Sequence, residues 1–248
     1  MDLVFYNGRH WVQFGEYHSW NDWHLIPASK PVIAPPKVKS KMIDIPGTHG
    51  SINLTYVLTG WPMYENRTGS LEFILAPGFL SWENTKSMIM DEIQGRSVHV
   101  ILGDNPEYYY DGLVWVDALK SDAKLNSITI NYDLYPFKRS IITSDQDWLW
   151  DPFNFETGVI RVWNQLAVNN QLDLVIDDCT EMVYPVITVS SAMGLVFRYH
   201  DREGVQHTES YELEAGTSTP GFMLRPGVNM LSISGNGTVT IRYRGGRL

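Results

Sequence analysis

Leu25-Ile-Pro-Ala-Ser-Lys-Pro-Val-Ile-Ala-Pro-Pro-Lys-Val-Lys-Ser-Lys-Met-Ile-Asp-Ile-Pro-Gly-Thr-His-Gly-Ser-Ile-Asn-Leu54 is the stretch from which the rest of the chain is best read. It forms two extended arms separated by prolines and closed by a Pro-Gly turn at Pro46-Gly47. Within it, Lys37-Val-Lys-Ser-Lys41 alternates charged with small or apolar residues, which gives an exposed arm one basic face. Such a run usually marks a solvated edge that blocks strand pairing. On an acidic protein it can equally meet an acidic surface of a neighbouring copy. Long proline-flanked arms inside compact domains are usually functional. Lys30, Lys37, Lys39, Lys41, Ile45, Pro46 and Gly47 are therefore the candidate oligomerisation residues.

Around that arm lies a chain of 248 residues, enough for one large β domain or two ordinary ones. A hydrophobic share of 44%, with 9 Trp, 13 Tyr and 9 Phe, supports sizeable cores and argues against disorder. The net charge of −9 excludes the basic face that nucleic-acid binding by phosphate neutralisation requires. One cysteine, Cys179, permits neither an internal disulfide framework nor a thiolate zinc cluster. Met1–Gly8 has no basic n-region followed by a long apolar stretch, so no signal peptide is expected, and no apolar run is long enough to span a membrane. The glycosylation-like triplets at Asn53, Asn66 and Asn236 carry no meaning in such a chain. The expectation is a soluble, β-rich protein made in a reducing cytoplasm.

Turn residues punctuate the sequence, and the runs between them are short and rich in Val, Ile, Tyr and Thr. Val98–Leu102, Tyr108–Val116 and Ser127–Tyr132 read as strands. One helix is expected, N-capped by Ser81, with Glu83 in its first turn, Trp82, Ile89 and Ile93 on one face, and Gly95 as its stop. The character changes after Tyr135-Pro136-Phe137-Lys138, which places a domain boundary between residues 138 and 139. Beyond it, strands at Val159–Trp163, Leu172–Ile176, Val183–Val189, Gly194–Tyr199, Thr208–Leu213, Gly221–Leu224, Asn229–Ile233 and Val239–Tyr243 have the spacing of a β-sandwich. Asn236-Gly237 between the last two predicts a type I′ hairpin. The fold class is mainly β, as two β domains, the first carrying one helix.

Chemical sites are thin. There is no Gly-x-Ser-x-Gly elbow, and Asp177-Asp178 before Cys179 would raise a thiol pKa, so that cysteine reads as a small packing residue. His18, Asp22 and His24 match no metal-ligand spacing and sit among tryptophans and tyrosines, which favours packing over ligation. Asp145, Asp147 and Asp151 lack the glycine and distal glutamate of an EF-hand loop. Glu107, Asp111 and Asp117 flank strands as turn acids, with nothing to fix the carboxylate separation of a glycosidase. Neither phosphate-cradling glycine motif is present. No cofactor is expected, and no catalytic or metal residues are assigned.

Several motifs in a fixed order carry a resemblance. Trp20-x-x-Trp23-x-Leu-Ile-Pro27, Lys41-x-x-x-Ile-Pro-Gly-x-x-Gly50, Asn66-Arg67-x-Gly69-x-x-x-Phe73, Asp104-Asn-Pro-x-Tyr-Tyr-Tyr-x-Gly112, Ile130-x-Tyr132-x-Leu134-x-Pro136-Phe137-Lys138 and Asp147-Trp-x-Trp-Asp-x-x-Asn-Phe-x-Thr-Gly158 together resemble the distal tail protein family of long-tailed bacteriophages. The resemblance covers the whole chain. It implies an N-terminal β-barrel or split-barrel domain with one helix (1–138) whose six copies form a ring, and a C-terminal galectin-like β-sandwich (139–248). It implies a structural hub, not an enzyme, located in the virion tail after synthesis in the host cytoplasm. The implied partners are other copies of the chain, the tail tube protein, the tail tip protein and, in some relatives, a receptor-binding protein, with DNA only passing through the ring and no membrane. The sugar-contact motifs of true galectins, His-x-Asn-x-Arg and Trp-x-x-Glu-x-Arg, are missing here. The alternative from another class is a carbohydrate-binding adhesion module using its aromatic-rich segments as stacking platforms.

Overall fold

The structure is a computed structural model and describes residues 10–47, 49–57, 60–76, 81–121, 126–146 and 162–248. Proximity along the backbone divides the chain into two units, Met1–Thr55 with Pro62–Lys138 and Leu248, and Tyr56–Trp61 with Arg139–Arg247. Both are β units, and among the described residues no helix is long and apolar enough to cross a membrane.

The first unit contains β1 (Val12–Phe14), β2 (Tyr17–His18), β3 (Leu25–Pro27), β4 (Met42–Asp44), β5 (Ser51–Asn53), β6 (Arg67–Leu75), α1 (Trp82–Ile93), β7 (Arg96–Leu102), β8 (Tyr108–Ser121) and β9 (Asn126–Leu134). The main sheet runs β2-β1-β7-β8-β9-β6-β3, antiparallel throughout. Its two edge strands, β2 and β3, are consecutive in the chain, and the Leu25 N–H donates to the Ser19 carbonyl at 2.7 Å across the turn that joins them. The sheet therefore curls until its edges meet at that turn, as a split barrel does. Period-two alternation supplies the core: Leu71, Phe73 and Leu75 of β6 face inward beside Ile128, Ile130, Tyr132 and Leu134 of β9. Strand β8 extends to Ser121, beyond the Val116 expected from sequence, because a bulge between Val116 and Ala118 lets the ladder resume after Asp117.

Helix α1 has the termini that the sequence sets. The Ser81 hydroxyl accepts from the Asn84 N–H, and Ile89 and Ile93 are fully buried with Thr85. The Gln94 side chain accepts from Val116 N–H at 2.9 Å, tying the helix end to β8. Trp23, fully buried, stacks on Phe14 and donates its indole N–H to Glu92 of α1 at 2.7 Å.

The second unit holds β11 (Leu166–Ile176), β12 (Val186–Val189), β13 (Met193–His200), β14 (Gln206–Leu213), β15 (Gly216–Ser218), β16 (Asn229–Arg242) and β17 (Gly246–Arg247), which pairs with β10 (Lys138–Ser140). The sheet order is β14-β13-β16-β12-β15, with β11 along the other edge of β16. Gly221–Leu224 forms no strand, only a bridge from Leu224 to Val183, and residues 159–161 of the expected first strand lie outside the described residues.

The hairpin expected at Asn236-Gly237 does not exist. Residues 229–242 form one strand, paired without a break from Leu166↔Val239 to Ile176↔Asn229. On its other edge the first half of β16 pairs with β13 and the second half with β12. The strand bends at Gly235 and Gly237, whose φ values of 141° and 142° suit only glycine. Both glycines continue the inward row Leu231, Ile233, Val239, Ile241. A Cβ at Gly237 would meet the Ser190 Oγ at 2.3 Å, so the β12–β13 connection fills the inside of the bend. The bend curls the sheet around a single core, in the manner of a sandwich, with Phe197, Leu231, Ile233, Val239 and Ile241 at its centre.

Candidate functional site

The feature of the first unit that its own core does not explain is the arm. Strands β4 and β5 pair through three residues each, Met42↔Asn53, Ile43↔Ile52 and Asp44↔Ser51, and all six are exposed. A hairpin this short has no apolar face of its own to bury. Met42, Ile43 and Ile52 are nevertheless 55%, 41% and 49% exposed, and Val38 is 47% exposed. Lys37, Lys39, Lys41, Ile45, Pro46 and Gly47 are exposed on the same segment, and Pro46-Gly47 lies at the hairpin turn. Lys30 stands apart, paired with Asp104 at 3.2 Å, where His10 also bonds at 2.9 Å. The arm strand is held along its length by Lys39 N–H to Met63 O and Glu65 N–H to Lys37 O, both 2.8 Å, around the Val38↔Tyr64 bridge.

The root of the arm is built from residues that sequence reasoning singled out only as a pattern. Arg67 opens the inward row of β6 and is 4% exposed. Its Nε donates to the Pro136 carbonyl at 2.7 Å and its Nη1 to the Ala34 carbonyl at 2.9 Å. The Ala34 N–H donates to the Tyr132 hydroxyl at 3.0 Å, so both polar groups of that residue are taken. Tyr132 stands opposite Gly69 in the β6–β9 register and occupies the space where a Cβ would be. The Arg67 guanidinium also faces the Tyr110 ring at 5.4 Å. Burial lowers the Arg67 pKa, with the two tyrosines acting in the opposite sense, and burial likewise raises that of Tyr110. The motifs Asn66-Arg67-x-Gly69 and Tyr132-x-Leu134-x-Pro136 thus converge on one place. Spacing within each motif gave no sign of that, because the pairing of β6 with β9 brings them together.

Several of the other candidates make contacts within the fold. His18 Nδ1 accepts from the backbone N–H groups of Trp20 and Asn21, both at 3.1 Å, while the His18 N–H donates to the Asp22 carboxylate at 2.6 Å. Burial lowers the His18 pKa, with Asp22 opposing. This arrangement caps the turn that closes the sheet and occupies Nδ1 of the ring. His24 packs edge-on to Trp20. Among the described residues no group of three His, Cys, Asp or Glu is placed to hold a metal ion. Asp147 and Asp151 lie outside the described residues. Cys179 is buried in the core of the second unit. Asp111 approaches His99 at 4.0 Å, and Asp117 is the exposed bulge residue of β8.

No protein-family model matches the chain, and no curated protein matches it in sequence. Among solved structures it is similar to the crystal structure of the SPP1 Dit protein (gp 19.1), described as a paradigm of the hub adsorption apparatus in phages that infect Gram-positive bacteria. The TM-score is 0.60 at 11% identity, over 96% of this chain and 99% of that one. The likeness is one of fold, a mainly β chain matched along nearly its full length.

Proposed function

We propose that the chain is a structural distal tail protein of a long-tailed phage or prophage. In this reading six copies of the N-terminal domain, residues 1–138, form a ring between the tail tube and the tail tip, and residues 139–248 form the C-terminal domain of each copy. The role is structural, not catalytic, and its place is the virion tail. The observation that carries the reading is the correspondence of fold with the SPP1 hub protein along nearly the full length of both chains. The arm supports it, since exposed Met42, Ile43 and Ile52 beside Lys37, Lys39 and Lys41 are suited to a neighbouring copy of an acidic protein.

A hub must let DNA pass without holding it. A duplex carries about one negative charge per 1.7 Å, so a basic lining would trap it by counterion release. The charge of −9 per copy favours an acidic or neutral inner wall, with the lysine arm turned toward a neighbour or the tube. Light scattering across a concentration series, followed by electron microscopy, tests this directly. Six-fold rings that do not retain duplex DNA at physiological salt are expected. A chain that stays monomeric at every concentration, or rings that bind duplex tightly, would sink the proposal.

A further inference from the structure

We infer that Arg67 and Tyr132 form a clamp that fixes the direction in which the arm leaves the sheet, so that Arg67 is the positioning residue of the assembly surface. This rests on the reading of the arm as that surface. The arrangement is costly. Arg67 is a buried cation, and among the described residues no carboxylate pairs with it. Its Nη2 is buried with no hydrogen-bond partner. Burying a charge without a counter-ion is unfavourable, and a sheet interior could be filled more cheaply by an aliphatic side chain.

What the guanidinium achieves is a bridge. Its planar fork reaches two carbonyls, Pro136 O at 2.7 Å and Ala34 O at 2.9 Å, from segments far from it in sequence. Tyr132 holds the other side of Ala34 by its N–H at 3.0 Å. Ala34 is thereby gripped on both polar groups, one from β6 and one from β9. Pro35 and Pro36 follow immediately, with φ fixed by their rings. A direction set at Ala34 is therefore transmitted to Lys37 with little freedom in between. The exposed Lys30–Asp104 pair, with the lysine 64% exposed, adds little to this hold. Gly69 belongs to the same device, since only its missing Cβ lets the Tyr132 ring lie over β6.

The test uses the full chain with Arg67→Lys, which keeps the charge but replaces the two separate donor nitrogens of the fork by a single ammonium, and Tyr132→Phe, which removes only the hydroxyl. Circular dichroism establishes that each is folded, hydrogen exchange is read at the Lys39 and Lys41 amides, and assembly is read by light scattering. Should Arg67→Lys fail to fold, Tyr132→Phe alone decides. We expect exchange at those amides to rise about tenfold, and the concentration for half-assembly to rise with it. Unchanged exchange in the folded variants overturns the clamp. Faster exchange with unchanged assembly leaves the clamp standing but overturns its positioning role, and with it the arm as the assembly surface.

Discussion

Tyr132 lies across the backbone of Gly69, where a Cβ would sit 2.4 Å from the phenol oxygen and 2.7 Å from Cζ. The two residues are direct cross-strand partners in the β6–β9 ladder, so the contact is set by register. Gly69→Ala should therefore force the ring out of place and destabilise the unit by about 1–3 kcal/mol. In a Tyr132→Ala background the same change should cost much less. Urea titration of the double-mutant cycle measures that coupling, and additive effects would mean the contact is not the cause.

The bend in β16 makes a second distinction. A type I′ turn would depend on both Asn236 and Gly237, whereas a bent strand depends on the glycine. Gly237→Ala meets a φ of 142° and the Ser190 Oγ at 2.3 Å, so a loss of about 2–4 kcal/mol is expected. Asn236→Ala loses the bond accepted from Asn170 N–H at 3.1 Å, worth about 0.5–1.5 kcal/mol. Equal losses by thermal unfolding would contradict the continuous strand.

His18 gives the fold a pH dependence. Burial holds its pKa below the ordinary value, and its Nδ1 must stay unprotonated to accept from Trp20 and Asn21. The folded state thus prefers neutral imidazole. The stabilisation is fully present above the unfolded pKa and is lost as pH falls through the lowered folded value. Wild type and His18→Gln should therefore differ in melting temperature above the ordinary imidazole pKa and converge as pH falls through the lowered folded value. A difference that stays constant over that range would rule out titration of His18 as its source.

The arm residues should matter for assembly and not for the single chain. Serine at Met42, Ile43 and Ile52 removes side chains that are already exposed, so the monomer should unfold within about 0.5 kcal/mol of wild type. If a neighbour covers them, each lost apolar contact weakens assembly by up to about 1.5–3 kcal/mol. Sedimentation at several concentrations reads the two effects separately, and unchanged association would remove the hairpin from the interface.

Fragments test the division at residue 138. A piece ending at Lys138 and one starting at Arg139 should each fold, since each unit has its own buried cluster. Starting instead at Ile141 removes most of β10, which pairs with β17, and removes Arg139, the partner of the 6%-exposed Glu181 at 3.4 Å. That shorter fragment should be less stable by about 1–3 kcal/mol. Denaturant midpoints compare the two, and identical midpoints would show that β10 contributes nothing.

Local information was enough wherever the cause is local. The helix cap at Ser81, the apolar face of α1, and the strands β7, β9 and β13 could be read directly, because capping and strand composition depend on neighbours a few residues away. The exposed lysine arm was legible for the same reason, as a charge pattern between prolines. Asn236-Gly237 was misread because the same dipeptide serves a hairpin or a bend. The choice between them was made by β11, which pairs along the whole of β16, and by the Ser190–Met193 connection packed into the notch. Likewise no spacing could show that Ala34, Arg67, Gly69, Tyr132 and Pro136 meet at the root of the arm. Only the β6–β9 register sets the arginine and the tyrosine on one inward face, where both can hydrogen-bond to Ala34. The sequence by itself determined the helix, the arm and several of the strands. Tertiary pairing decided which of them touch, because contact across a sheet depends on register, and register is a property of two strands together.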